Sequence, residues 1–118
     1  MNEDVVDLNE VLERVQGDKE LLAELFDIFL EDCPTRITAI KEAIQAKDVT
    51  KLKDAAHSLK GASGNISAKR LHQLFLKMEQ AAKNSDLTGV EVLLREADLQ
   101  VAELKNYCAT FKKDLKRT

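Results

Sequence analysis

The sequence has few of the residues that make tight turns: one proline and four glycines in 118 residues. Sandwiches and barrels need many such turns, so the composition argues against an all-β fold. Tryptophan is absent and aromatic residues make up 4% of the chain, so the core must be mainly aliphatic. With 44% hydrophobic and 33% charged residues, residues 1–118 are expected to form one globular domain.

Basic residues are not in excess. The chain has 18 Lys and Arg against 21 Asp and Glu, a net charge of −3, whereas nucleic-acid binders usually carry a basic surplus. No stretch reaches the roughly 18 consecutive apolar residues of a membrane span, and the acidic first residues do not resemble a secretion signal. Cys33 and Cys108 have no metal-ligand spacing and are expected to be buried thiols. We therefore expect a cytoplasmic monomer that binds neither nucleic acid nor membrane.

Apolar residues recur at steps of three and four along the chain, the pattern of helices that bury one face. Asp7, Asp18 and Asp48 are placed to cap the first three helices, and Ser67 is placed to cap the fourth. The second helix is predicted to cover about 18–46 as one kinked helix, because its apolar stripe keeps its phase across Pro34. That stripe contains Leu21, Leu22, Leu25, Ile28, Phe29, Cys33, Ile37, Ile40 and Ile44.

The second half of the chain predicts two more helices. The last runs from about Thr88 to Leu115, and Arg117 is among the basic residues at its C-terminal end, where positive charge suits the helix dipole. Because short connections make successive helices antiparallel, the predicted fold is all-α: an up-and-down four-helix bundle with a short extra N-terminal helix. The buried side of the fourth helix is predicted to contain Leu71, Leu74, Phe75, Met78 and Ala82.

The third helix carries a histidine away from its predicted core face. With Ala56 and Leu59 at the centre of the buried face, an advance of about 100° per residue places His57 on the opposite side. Lys53 and Lys60 lie beside it. An exposed imidazole is a good nucleophile near neutral pH, and lysine can stabilise a phosphoryl group.

Two glycines, Gly61 and Gly64, follow His57 on that exposed side. Each glycine inside a helix destabilises it by about 1 kcal/mol relative to alanine. Glycines on an exposed helix face are therefore expected where another surface must approach closely. Gly64 has a second explanation, since it could loosen the helix end near Ile66. The chain has no Gly-rich phosphate loop and no acidic Mg²⁺ cluster. The residues alone therefore leave two interpretations open: a phosphoryl carrier served by other proteins, or a helical interaction module on whose surface His57 is incidental.

The stretch from 56 to 67, Ala-His-Ser-Leu-Lys-Gly-Ala-Ser-Gly-Asn-Ile-Ser, with Leu71, Leu74 and Glu79 after it, resembles the motif of histidine-containing phosphotransfer (HPt) domains of two-component phosphorelays. The resemblance implies that His57 is the phosphoacceptor, that Lys60 assists the phosphoryl group, and that Gly61 lets a receiver domain dock. Ser67 stands where many members of the family have glycine.

The resemblance also implies partners and a reaction. A receiver-domain aspartate of a response regulator or of a hybrid sensor histidine kinase would donate its phosphoryl group to His57, and another receiver aspartate would take it. Any Mg²⁺ would be bound by the receiver, and this chain would hold no cofactor or metal and would not be an enzyme in the turnover sense. Two alternatives are a non-transferring helical adaptor and the phosphoacceptor domain of a larger chemotaxis-type histidine kinase.

A carboxylate partner for His57 follows from helix geometry. His57 lies nine residues before Ile66 and Glu79 lies twelve after Ser67, and in antiparallel neighbours their side chains lean in directions that reduce this mismatch. Glu79 is therefore predicted to accept a hydrogen bond from Nδ1–H and leave Nε2 free as the nucleophile. The alternative is that Glu79 is a solvated helix residue.

Two neighbours of Glu79 need an interpretation. Leu76 points away from the centre of the buried stripe, so it is either an exposed contact for a receiver domain or a packing residue at the edge of the bundle. His72 is the rival nucleophile, but it is expected to be an ordinary surface residue without a nearby glycine pair. A metal site shared by His57 and His72 is not expected, because no third ligand converges on them.

Overall fold

The fold consists of five helices in the computed structural model, which describes residues 5–116. No strand occurs within that range. Arg117, which was predicted at the end of the last helix, lies outside the described residues. The helices are α1 (Leu8–Arg14), α2 (Lys19–Ala46), α3 (Val49–Asn65), α4 (Lys69–Lys83) and α5 (Val90–Lys116).

Aspartate caps set the starts of the first three helices. The carboxylates of Asp7, Asp18 and Asp48 each accept a hydrogen bond from the backbone N–H three residues later, at 3.1, 3.0 and 3.0 Å. Such a bond satisfies one of the free N–H groups of the first turn. These predicted starts are confirmed, and α2 continues through Pro34 as one helix. Helix α5 begins two residues later than predicted.

The four long helices form a closed ring, because α5 packs against both α4 and α2. The molecule measures 49 × 24 × 21 Å. Two ion pairs show the relative direction of α2 and α5: Asp27 with Lys112 at 3.0 Å and Lys41 with Asp98 at 3.9 Å. The earlier residue of α2 pairs with the later residue of α5, so these two helices are antiparallel. The predicted bundle with a short extra N-terminal helix is confirmed.

The buried face of α2 differs from the predicted stripe. Leu21 and Ile28 were predicted to be buried, but they are 40% and 61% exposed, whereas Phe26 is fully buried. Phe26 contacts the rings of Tyr107 and Phe111 edge-on, at centroid distances of 6.1 and 5.5 Å. Helix α2 has apolar residues on more than one face, so spacing alone did not show which face packs against α5. Its buried residues are Leu22, Ala23, Phe26, Phe29, Cys33, Ile37, Ile40 and Ala43.

The predicted burial of α4 and of the cysteines is confirmed. All five predicted residues of α4 are buried, and Glu79 is buried with them. Cys33 and Cys108 are free buried thiols, and burial raises their pKa values to about 11 and about 12. Within residues 5–116, no helix has an apolar stretch that could cross a bilayer.

The connection between α3 and α4 differs from the prediction. Ser67 does not cap α4, because the N-cap residue is Ala68 and it makes no side-chain cap bond. Ser67 instead has left-handed backbone, with φ of 56°. Its hydroxyl donates a hydrogen bond to Oε1 of Glu10 at 2.7 Å. The Ser67 side chain therefore binds α1 and does not cap the first turn of α4.

Helix α1 covers this connection. Arg14 donates hydrogen bonds to the carbonyl oxygens of Gly64 and Asn65, at 2.7 and 2.9 Å. These carbonyls lie in the last turn of α3, where a helix carries partial negative charge. Lys69, at the start of α4, forms an ion pair with Glu10 at 2.7 Å. Thus α1 holds the end of α3 and the start of α4 together.

Candidate functional site

His57 lies in the middle of α3 and its imidazole is at the surface. Its side chain is 67% exposed, while Ala56 and Leu59 on the other face of the helix are fully buried. The predicted orientation of the helix is therefore confirmed. An imidazole in this position is open to another protein.

Glu79 of α4 contacts His57 from the bundle side. One carboxylate oxygen, Oε2, lies 2.7 Å from Nδ1 of His57, and the other, Oε1, accepts a hydrogen bond from Nζ of Lys60 at 2.6 Å. The Glu79 side chain is only 5% exposed, so the alternative of a solvated helix residue is wrong. The predicted contact between Glu79 and His57 is present.

Glu79 is held as a carboxylate by its cationic neighbour. The hydrogen bond from the Lys60 ammonium, with a smaller contribution from the His57 hydrogen bond, lowers the pKa of Glu79 below its ordinary 4.5, although burial acts in the opposite direction. A carboxylate only accepts hydrogen bonds, so Nδ1 of His57 must carry the proton. In the neutral ring Nε2 then holds the lone pair, and a lone pair is what a nucleophile needs.

Two lysines contact Glu79, and a third lies one turn before His57 on α3. Lys60 is the most buried of them, with 22% of its side chain exposed. Lys83, one turn after Glu79 on α4, has its ammonium 4.0 Å from Oε2 and is 60% exposed. Lys83 was not predicted from the sequence, although its i, i+4 spacing from Glu79 was a readable signal. Lys53 is exposed one turn before His57 and forms no ion pair with any side chain in the described part of the chain.

The two glycines of α3 differ in their surroundings. A Cβ atom built on Gly61 meets nothing within 4 Å, whereas one built on Gly64 lies 3.1 Å from Nδ1 of His72. Nothing around Gly61 within residues 5–116 therefore requires a glycine. At Gly64 a side chain would fit tightly against the His72 ring, which would have to shift by a few tenths of an ångström to admit it.

His72 is not the ordinary surface residue that the sequence suggested. It is partly buried, its ring lies against Gly64, and its Nδ1 is 2.8 Å from the backbone carbonyl oxygen of Lys60. This bond was not predicted, because its acceptor is a backbone carbonyl oxygen, which no residue type marks in the sequence. Leu76, one turn further along α4, is also partly buried, a position compatible with either of its predicted roles.

The family model of the Hpt domain matches residues 24–111, more than half of the chain. The chain belongs to the Hpt domain family. Helix α1 lies outside the matched residues, while the α3 and α4 side chains that surround His57 lie inside them.

Two curated relatives and one solved structure are similar to this Hpt domain. Histidine-containing phosphotransfer protein 2 of Arabidopsis thaliana is 25% identical over 92 residues, 75% of this chain and 59% of that protein. Phosphorelay intermediate protein rdeA of Dictyostelium discoideum is 26% identical over 99 residues, 84% of this chain and 39% of that protein. The chain thus spans less than two thirds of either relative. The crystal structure of histidine-containing phosphotransfer protein B (HptB) from Pseudomonas aeruginosa PAO1 is 27% identical, with a TM-score of 0.78 over 92% of this chain and 93% of that one.

Proposed function

We propose that this Hpt domain is a phosphorelay intermediate that accepts a phosphoryl group on Nε2 of His57 from a receiver-domain aspartate and passes it to another receiver aspartate. The observation that carries the proposal is the exposed imidazole whose Nδ1 is bound to a buried carboxylate. Membership of the family and the names of the two relatives support the same function.

The transfer uses the lone pair of Nε2. It attacks the phosphorus of the aspartyl phosphate, the N–P bond forms, and the P–O bond to the aspartate breaks so that the receiver recovers its carboxylate. Nδ1 keeps its proton, so the ring gains positive charge as the bond forms. The Glu79 carboxylate, 2.7 Å away, stabilises that charge and orients the ring. In the reverse step a receiver carboxylate attacks phosphorus and Nε2 leaves with its electron pair.

We propose that the Lys60 ammonium binds the phosphoryl group while it also donates a hydrogen bond to Glu79. An ammonium has three N–H donors, and the Glu79 carboxylate accepts from one of them at 2.6 Å. The other donors are free to face phosphoryl oxygens, whose charge a compact cation stabilises. We assign Lys60 that role, and we assign Glu79 the role of positioning the imidazole.

The docking face for the receiver surrounds His57. Gly61 would let the backbone of the partner approach α3, since the space outside it is open. Lys53 would add positive charge toward the acidic site of a receiver, and Leu76 would add an apolar contact at the edge of α4. Gly64 was predicted to belong to this face too, but its contact with His72 supports a role inside the bundle.

Several further features belong to the proposal. The chain acts as a carrier and not as an enzyme with its own turnover, and it acts as a monomer. Mg²⁺ is bound by the receiver and not by this chain. We place the exchange in the cytoplasm, where the two free buried thiols would stay reduced.

The test is a transfer assay with the whole chain. A panel of receiver domains is phosphorylated with labelled acetyl phosphate, freed of excess donor and incubated with the protein. At least one receiver is expected to give label on this chain that is lost in acid and retained in alkali, the behaviour of a phosphohistidine. A second unlabelled receiver should then remove the label.

The His57→Gln variant decides the site, and His72→Gln is its matched control. The label reached at the end of the reaction should vanish in the first variant and persist in the second. Label that persists in His57→Gln contradicts the assignment of the acceptor. If no receiver labels the wild-type chain, the adaptor is the better account. Labelling only by a kinase catalytic domain with ATP would favour the phosphoacceptor domain of a chemotaxis-type kinase.

A further inference from the structure

His72 makes a bond that links α4 to the backbone of the site. Its Nδ1 lies 2.8 Å from the carbonyl oxygen of Lys60. A carbonyl only accepts, so Nδ1 carries the proton and donates it. The imidazole thus links α4 to Lys60 of α3. The ammonium of Lys60 binds Glu79, and the same helix carries His57.

Gly64 provides the space for this bond. A Cβ atom at this position would lie 3.1 Å from Nδ1 and 3.4 Å from Cε1 of His72, closer than side-chain atoms normally pack. Alanine there fits only if the ring shifts by a few tenths of an ångström, which would disturb its bond to the carbonyl oxygen of Lys60. The helical glycine, unfavourable by about 1 kcal/mol relative to alanine, is therefore explained by a neighbour inside the protein.

Two points of contact fix how α4 is rotated against α3. His72 and Glu79 are seven residues apart, about two helical turns, so both lie on the face of α4 that meets α3. His72 binds the Lys60 carbonyl, while Glu79 binds the Lys60 ammonium and the His57 ring. If the first contact is lost, the rotation of α4 is less restricted and the Glu79 carboxylate is less well placed against Nδ1 of His57.

We infer that His72, seated against Gly64, is a positioning residue for phosphoryl transfer: it holds Glu79 in the orientation that fixes the tautomer and direction of the His57 ring. This inference rests on the proposed function, which it extends to a residue outside the phosphoryl-binding atoms. His72 itself does not accept the phosphoryl group.

The first test compares His72→Ala with His72→Asn. Asparagine keeps an N–H donor close to the place of Nδ1, whereas alanine removes it. His72→Ala is expected to slow the single-turnover transfer rate at saturating receiver roughly two- to tenfold, the range of one neutral hydrogen bond, with little change in the KM for the receiver. His72→Asn should recover most of the rate. Gln73→Ala, an exposed neighbour on α4, is the matched control and should match the wild type.

The second test is a double-mutant cycle with Gly64→Ala. If Gly64 only makes room for His72, Gly64→Ala slows transfer in the wild type but has no further effect in His72→Ala, because the ring that it would strike is gone. If Gly64 instead serves the receiver, the substitution raises KM by the same factor in both backgrounds, and that result overturns the inference.

A spectroscopic measurement separates this inference from the proposed function. The ¹⁵N shifts of His57 report which ring nitrogen carries the proton, and they can be recorded without any receiver. In His72→Ala the preference for Nδ1–H should weaken, and in His72→Asn it should return. Unchanged His57 shifts in a folded His72→Ala variant contradict the positioning role. Failure of the wild-type chain to accept label would contradict the proposed function alone.

Discussion

The two histidines between α3 and α4 make similar bonds in different surroundings. Each donates its Nδ1 proton to the facing helix, but His57 donates to a carboxylate and His72 to a backbone carbonyl. His57 is 67% exposed and followed by the open Gly61, while His72 is partly buried against Gly64. Donation from Nδ1 is thus not what distinguishes a reactive imidazole here. A negative acceptor that stabilises developing charge, together with a more exposed ring, distinguishes His57.

Removing the negatively charged acceptor of His57, the Glu79 carboxylate, is expected to have the largest effect on phosphoryl transfer. Glu79→Ala should slow phosphorylation of His57 roughly ten- to a hundredfold, the range of a hydrogen bond to a charged group. Glu79→Gln, which keeps an acceptor oxygen without the charge, should lie between the alanine variant and the wild type. Rapid-quench transfer from a phosphorylated receiver measures both. Rates equal to the wild type in Glu79→Ala would remove Glu79 from the mechanism, and Glu96→Ala serves as an exposed control.

The Glu79 carboxylate is also expected to make the free energy of unfolding depend on pH in the acid range. Since the folded-state pKa of Glu79 lies below its ordinary 4.5, the unfolded chain binds more protons between these two values. The contribution of Glu79 is therefore complete above pH 4.5 and is lost as the pH falls through the folded-state pKa. Urea unfolding between pH 6 and about 3 should show a steeper loss of stability in the wild type than in Glu79→Gln. Equal slopes would contradict this account.

Gly61→Ala sharpens the difference between the two glycines. Alanine at this open position should raise the free energy of unfolding by up to about 1 kcal/mol, because it meets nothing within 4 Å. The same variant should raise the KM for the receiver, since its methyl group would stand where the partner approaches. Thermal unfolding and transfer kinetics test the two halves. A variant that is more stable and has an unchanged KM would exclude Gly61 from the docking face.

Substitutions of Ser67, in the connection between α3 and α4, are expected to change the stability of the fold by an amount similar to that of Gly61→Ala. Ser67→Ala should destabilise the fold by about 1 kcal/mol, because it loses the bond to Glu10 and keeps the left-handed backbone. Ser67→Gly loses the same bond but relieves the backbone by a similar amount, so its free energy of unfolding should stay near that of the wild type. Equal destabilisation by both substitutions, measured in urea, would contradict this interpretation of Ser67.

The sequence predicted the features that depend on local chemistry. The aspartate caps and the exposed side of α3 follow from residue type and helical phase, and the contact between His57 and Glu79 follows from their spacing in antiparallel neighbours. Other details of the packing between helices were wrong or missed. Ile28 fits an apolar period as well as Phe26 does, yet only Phe26 faces α5. His72 and Ser67 are bound by groups from other helices, and no spacing within their own segments encodes those contacts.

The most direct test of the account is the identity of the phosphorylated atom. The chain is labelled with ¹⁵N in its histidine rings and phosphorylated from a receiver, and ³¹P–¹⁵N coupling is then recorded. Coupling to Nε2 of His57, with the proton still on Nδ1, is the predicted result. Coupling to Nδ1 of His57, or to either nitrogen of His72, would contradict the claim that Glu79 binds Nδ1–H of His57 and leaves Nε2 of that ring to accept the phosphoryl group.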